Sequence, residues 1–84
     1  MTREDIMKSV ITIIQEVMPE KDCSSIQDTD VPFVNIVDMD SMDFLDVIMA
    51  LQKKYLIEIP DADFGNMRNM KSTLDYLETK LASK

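Results

Sequence analysis

Ile6, Met7, Val10, Ile13, Ile14 and Val17 recur at intervals of three and four, so they form one broad stripe on a helix. That spacing predicts a helix over about residues 3–18. Thr2 is a suitable cap, Asp5 three positions on makes a variant of the capping box, and Pro19 stops the run near Met18. Residues 19–40 hold no period. Ile26, Val31, Phe33, Val34, Ile36 and Val37 supply apolar anchors to a long connection with room for one short helical turn. Helical spacing returns from Ser41 to about Tyr55, with Ser41 as the expected N-cap, Asp43 in the first turn, and Lys53 and Lys54 in the last, where the macrodipole favours each sign. Leu56 to Pro60 reads as an extended linker. Asp61 to Asn66 reads as a short helical turn with Asp61 as its cap and Phe64 inward. Asn69 then caps a last helix over about 70–82, whose buried stripe is Met70, Thr73, Leu74, Leu77 and Leu81. The expected fold is all-α: three main helices plus one short helix, with a long first loop, in a single domain spanning residues 1–84.

The second main helix has two apolar faces. At 100° per residue Phe44, Val47, Ile48, Leu51 and Tyr55 fall within about 70° of one another and make a core stripe. Met42, Leu45 and Met49 cluster about 120° away, with Asp43 and Asp46 just beyond them. One core on one side cannot bury both. Either the long loop folds over Met42 and Leu45, or the second stripe is exposed and, edged by acids, serves a partner.

Composition narrows the functions open to such a bundle. At 84 residues, scaling puts the folded surface near ~5,100 Å² with roughly 64% of the unfolded surface buried, a thin but sufficient core. The chain has no His, one Cys (Cys23) and one Gly (Gly65). His-based acid–base catalysis, Cys/His zinc sites, internal disulfides and glycine-rich phosphate loops are therefore excluded, and neither a catalytic nor a metal site is expected. Cys23 reads as an ordinary loop thiol, with a dimer linked by oxidation in handling as the one alternative. A charged N-terminus without a signal-peptide core and the absence of long apolar runs predict a cytoplasmic chain with no membrane span, expected to be monomeric.

The net charge of -7 argues against nucleic-acid binding. Its location says more. Between Asp22 and Gln52 there are seven aspartates and no Lys or Arg, while the rest of the chain holds nine acids and nine bases. The whole excess lies in one segment, which is either a solvated acidic loop or a docking surface for basic partners. The Asp38-Met39-Asp40 spacing bears only a surface likeness to a calcium loop, since the required Gly and final Glu are missing.

Ser41 sits where the two apolar stripes and the acidic segment meet. With no His there is no Ser-His-Asp arrangement. A serine at a helix start is most simply a cap, but a helix N-terminus also suits a phosphoryl group, because free N–H groups and the dipole face it.

Taken together, these residues resemble the acyl carrier protein family. The family's Asp-Ser-Leu motif stands here as Asp40-Ser41-Met42, followed by Asp43 and Val47-Ile48-Met49-Ala50-Leu51. Tyr55, the Ile57-Glu58-Ile59-Pro60-Asp61 linker and Leu74-Asp75-Tyr76-Leu77 continue the match, and Phe33-Val34 upstream corresponds to the family's loop anchor. The resemblance covers essentially the whole chain. It implies a four-helix bundle in which Ser41 carries a 4′-phosphopantetheine arm, attached from coenzyme A by a phosphopantetheinyl transferase, with Asp40 helping to position metal and substrate in that step. The arm would hold acyl groups as thioesters for fatty-acid, lipid or polyketide-type biosynthesis. Met42, Asp43, Leu45, Asp46 and Met49 match the family's docking helix, for acyl-transfer, ketosynthase or ligase-type enzymes with basic patches. Phe44, Val47, Ile48, Leu51, Leu74 and Leu77 are the candidates for lining an acyl cavity.

The chain departs from the family pattern at four places. Asp38 replaces a Gly, Met42 a Leu and Phe44 a smaller residue, and Gln52-Lys53-Lys54 stands where the housekeeping form is acidic. The departures point to a specialised carrier. An aminoacyl carrier of the D-alanyl type and an unmodified helical adaptor, binding through the Met42, Leu45 and Met49 stripe, stand as alternatives.

Overall fold

A computed structural model describes residues 2–83. Its first helix, α1 (Arg3–Val17), begins with a reciprocal capping box: Thr2 Oγ1 accepts from the Asp5 N–H at 3.1 Å, and Asp5 accepts from the Thr2 N–H at 3.2 Å. Ile6, Val10, Ile13 and Ile14 are buried, as their spacing requires. The helix ends as Met18 N–H reaches the Ile14 carbonyl at 2.9 Å, just before Pro19.

The long connection that follows is held by few but specific bonds. Gln15 donates to the carbonyls of Met18 and Lys21 and accepts from the Cys23 N–H. Cys23 and Ile26 are buried. Cys23 is a loop thiol, as read from the sequence, but one packed into the core; burial foremost, then Asp22 and Glu20, pushes its thiol pKa up. At the far end, Lys71 N–H donates to the Thr29 carbonyl at 3.0 Å and Phe33 N–H to the Arg68 carbonyl at 2.9 Å. Both bonds tie the loop to the chain around the start of the last helix.

Inside this connection lies α2 (Phe33–Val37), preceded by Pro32 and without a side-chain cap. Tertiary burial of Phe33 and Val37 holds it. Val34, paired with Phe33 as an anchor in the sequence reading, is instead 54% exposed. The helix stops at Asp38, whose φ of 56° and ψ of 42° place it in the left-handed region. A Gly takes that conformation without strain, and Asp is one of the few other residues that tolerate it.

The third helix, α3 (Ser41–Tyr55), is capped by Asp40 rather than by Ser41. Asp40 Oδ1 accepts from the Asp43 N–H at 2.8 Å, and the Asp43 carboxylate faces back to the Asp40 N–H at 3.5 Å. Both residues suit a cap, but only Asp40 has an acid three positions on to close the box. Ser41 is the first residue inside the helix. Leu56, at φ 54°, ends α3.

The linker is pinned by Gln52, whose Oε1 accepts from the Ile59 N–H at 2.8 Å and whose carbonyl accepts from Ile57 at 3.2 Å. A 3-10 helix over Asp61–Met67 follows, longer than the single turn expected, with Pro60 and not Asp61 at its cap and no side-chain capping bond. Asp63 accepts from the Tyr76 hydroxyl at 2.7 Å, fastening this segment to α4 (Met70–Ala82). Burial first, and then that carboxylate, push the Tyr76 pKa up to about 12. Asn69 caps α4 through the Ser72 N–H at 2.8 Å.

Helix α1 packs on α3 and α4, and the 3-10 helix packs on α4. Ile14, Ile48, Leu51, Leu74 and Leu77 fill the centre, fully buried. Each such side chain contributes roughly 1.5–3 kcal/mol through burial. The described residues thus form an all-α bundle of three long and two short helical segments, one more short helix than the sequence reading counted. No helix among them is long and apolar enough to cross a membrane.

Candidate functional site

Ser41 lies at the exposed start of α3, at the mouth of a pocket of about 210 Å³. Phe33, Val34 and Met39 line one part of it, Asp40, Ser41 and Phe44 another, and Arg68 and Pro32 complete the wall. The local structure explains this placement. The left-handed turn at Asp38 reverses the chain after α2, buried Met39 anchors it, and the Asp40 cap sets the direction of α3. Ser41 therefore projects from a doubly constrained turn. Among the described residues, its hydroxyl makes no hydrogen bond and no base stands against it. The N–H groups of Ser41 and Met42, in the first turn, also have no partner among the described residues. The structure thus offers an accessible hydroxyl beside free helix-end donors, an arrangement that fits a phosphate ester.

The flank of α3 beyond Ser41 carries the second stripe. Met42 is 76% exposed, Met49 65% and Leu45 43%. The long loop does not fold over them. Asp46 is exposed beside them and Asp43 is half-buried, held partly by the capping box. The structure brings Met42, Asp43, Leu45, Asp46 and Met49 together on one outward face next to Ser41.

The candidate cavity residues divide. Phe44 lines the pocket beside Ser41. Val47, Ile48, Leu51, Leu74 and Leu77 lie deeper, in close-packed contact within the core.

Arg68 was not legible as a site residue. It stands far from Ser41 in sequence, just before the cap of α4, with no motif to mark it. The fold carries it across: its carbonyl is bonded to Phe33, and its guanidinium lies 4.4 Å from the centre of the Phe44 ring. Phe64 meets the same ring edge-on at 6.0 Å and 83°. In sequence, the acidic segment around Ser41 contains no cation; in space, Arg68 supplies one.

Fold and site together define a small helical carrier-type domain, with a serine displayed at a helix start and an apolar, acid-edged flank beside it. The chain belongs to the phosphopantetheine attachment site family, whose sequence pattern matches residues 8–77, and it is an acyl carrier protein whose prosthetic group is 4′-phosphopantetheine. It is similar to the acyl carrier protein of Guillardia theta, at 29% identity over 83 residues, covering 99% of this chain and 100% of that one. It is likewise 28% identical over 86 residues to the acyl carrier protein of Thermosynechococcus vestitus, covering 99% of this chain and 100% of that one. A third acyl carrier protein, from Syntrophobacter fumaroxidans, is 38% identical over 55 residues, or 62% of this chain and 68% of its own.

Proposed function

We propose that Ser41 is the residue that bears the 4′-phosphopantetheine, and that the chain works as a specialised acyl carrier in the cytoplasm without catalysing a reaction itself. The observation that carries this reading is the placement of Ser41: exposed, free of internal hydrogen bonds, at the first turn of α3 and at the edge of a pocket. When attached, the group supplies a terminal thiol that holds acyl chains as thioesters. The chain's own residues display the attachment point, present a docking face and offer an apolar interior.

Asp40 has two duties in this reading. It caps α3, and its carboxylate stands next to Ser41 for the transferase step. Met42, Leu45 and Met49 form the apolar part of the docking face, and Asp43 and Asp46 its acidic edge, for a phosphopantetheinyl transferase and for acyl-handling enzymes with basic patches. Phe44 lies at the mouth of the acyl site; Val47, Ile48, Leu51, Leu74 and Leu77 would have to part for a long chain to enter between the helices. Lys53 and Lys54 end the acidic character of α3 and support a restricted set of partners.

Incubation with coenzyme A and a broad-specificity transferase, followed by intact mass, tests the attachment. The wild type is expected to gain one phosphopantetheine and Ser41→Ala none. No gain on the wild type, or a gain that survives Ser41→Ala, overturns the assignment. If Ser41→Ala also leaves partner binding and biological activity intact, the chain is an unmodified adaptor.

A further inference from the structure

The phosphodiester that joins the arm to Ser41 would carry a negative charge into a stretch that already holds seven aspartates and no cation. The free N–H groups at the start of α3 offset part of that repulsion, and a cation beside Ser41 would offset more. Arg68 is placed to do so. It lines the same pocket as Ser41. Its guanidinium carbon lies over the Phe44 ring, 4.4 Å from the centre, and its N–H groups make no hydrogen bond among the described residues, so they are available to donate. Its backbone is held as well, since the Arg68 carbonyl accepts from Phe33 and the next residue, Asn69, caps α4.

The contrast with Arg3 sharpens the point. Arg3 is saturated by Asp28, Asp75 and Glu78 and by the Lys71 carbonyl. Arg68 has no carboxylate within ion-pair distance among the described residues. A guanidinium seated over a ring, held through its backbone and lacking an anion suits a tetrahedral oxyanion, because its planar fork can give two parallel N–H bonds to phosphate oxygens.

We propose that Arg68 is a positioning residue for the prosthetic group: its guanidinium holds the phosphodiester on Ser41 and directs the arm across Phe44 along the Phe33–Met39 pocket. This rests on the assignment of Ser41. The role is one of orientation; Arg68 takes no part in bond making.

The test uses the full chain, loaded from coenzyme A and checked by intact mass, as wild type, Arg68→Gln and Arg68→Lys. At low salt, the wild-type ³¹P resonance of the phosphodiester is expected away from its position in the same protein denatured. Arg68→Gln moves it toward that position, and Arg68→Lys, which keeps the charge but not the fork, falls between. High salt moves the wild type the same way. The Arg68 Nε–H resonance of the wild type shifts on loading. The gain in melting temperature on loading falls by half or more in Arg68→Gln. Identical ³¹P positions in wild type and Arg68→Gln, or an Arg68 Nε–H unmoved by loading, overturn the proposal. An equal loss of melting temperature in unloaded and loaded Arg68→Gln does so too, because packing on Phe44 alone would explain it. Failure of the wild type to load would instead strike at Ser41. If Arg68→Gln alone resists loading, the two wild-type measurements decide.

Discussion

Arg3 clasps Asp28 with two nitrogens, at 2.7 and 3.1 Å, and so fastens the first turn of α1 to the long loop. The same guanidinium reaches Asp75 and Glu78 on α4. Asp28 is held below the usual carboxylate range, chiefly by its hydrogen bond from Arg3, and the Arg3 pKa is raised in turn. The sign follows from proton uptake. The unfolded chain protonates Asp28 at a higher pH than the folded chain does, so the stabilisation is present above about pH 4 and is lost as pH falls from there through the depressed folded value. These groups are partly exposed and screened, so Arg3→Gln should cost only about 1 kcal/mol at neutral pH and low salt. In thermal melts the gap between wild type and variant should close below about pH 4 and shrink in 1 M salt.

Glycine is absent where the backbone would favour it. The chain's one glycine, Gly65, does not have a positive φ, and a Cβ added there meets nothing within 4 Å. Among the described residues, the left-handed positions are occupied by Asp38 and by Leu56, which is 78% exposed. Leu56→Gly should therefore stabilise by about 1 kcal/mol, and Asp38→Gly by a few tenths because Asp tolerates the conformation. Gly65→Ala should add about 0.5 kcal/mol by restricting the unfolded chain. Each kcal/mol is worth roughly 4–8 °C in melting temperature for a domain of this size, so calorimetry resolves the order.

Gln52 belongs to the linker rather than to the docking face. Its amide oxygen is the acceptor for the buried Ile59 N–H. Gln52→Ala leaves that donor without a partner and should cost about 1–3 kcal/mol, whereas Gln52→Glu keeps an acceptor and should melt near the wild type at neutral pH. Chemical denaturation of the pair separates the two roles, since a residue that serves only the surface would tolerate both changes.

The outward stripe of α3 should behave in the opposite way. Met49→Glu alters an exposed position and should change stability by no more than about 0.5 kcal/mol. It should raise KM for a phosphopantetheinyl transferase about three- to tenfold, with a smaller effect on kcat, the signature of lost binding. Steady-state kinetics with coenzyme A and matched circular-dichroism melts check both halves.

The three long helices are legible in the sequence because each has a clear 3.6-residue period and a polar cap. The exposed stripe is legible too, since two apolar faces on one short helix cannot share one core. What depends on distant partners was not legible in the sequence. The connection had room for a short turn, but nothing in sequence placed it: helix α2 has no side-chain cap and five residues, and burial of Phe33 and Val37 makes it a helix. The cap of α3 was placed one residue late because Asp40 and Ser41 are both cap formers, and only the reciprocal bond with Asp43 separates them. Arg68 was invisible because its relation to Ser41 exists only after the loop is tied to the start of α4.

The methionines differ sharply in their surroundings. Met18, Met39, Met67 and Met70 are buried, while Met42 and Met49 stand in solvent on the flank beside Ser41. Peroxide reaches exposed thioethers first, and sulfoxide turns a flexible apolar side chain into a polar one. Mild oxidation would therefore leave the bundle intact while defacing the docking surface proposed above, and reductase repair would restore that surface without refolding.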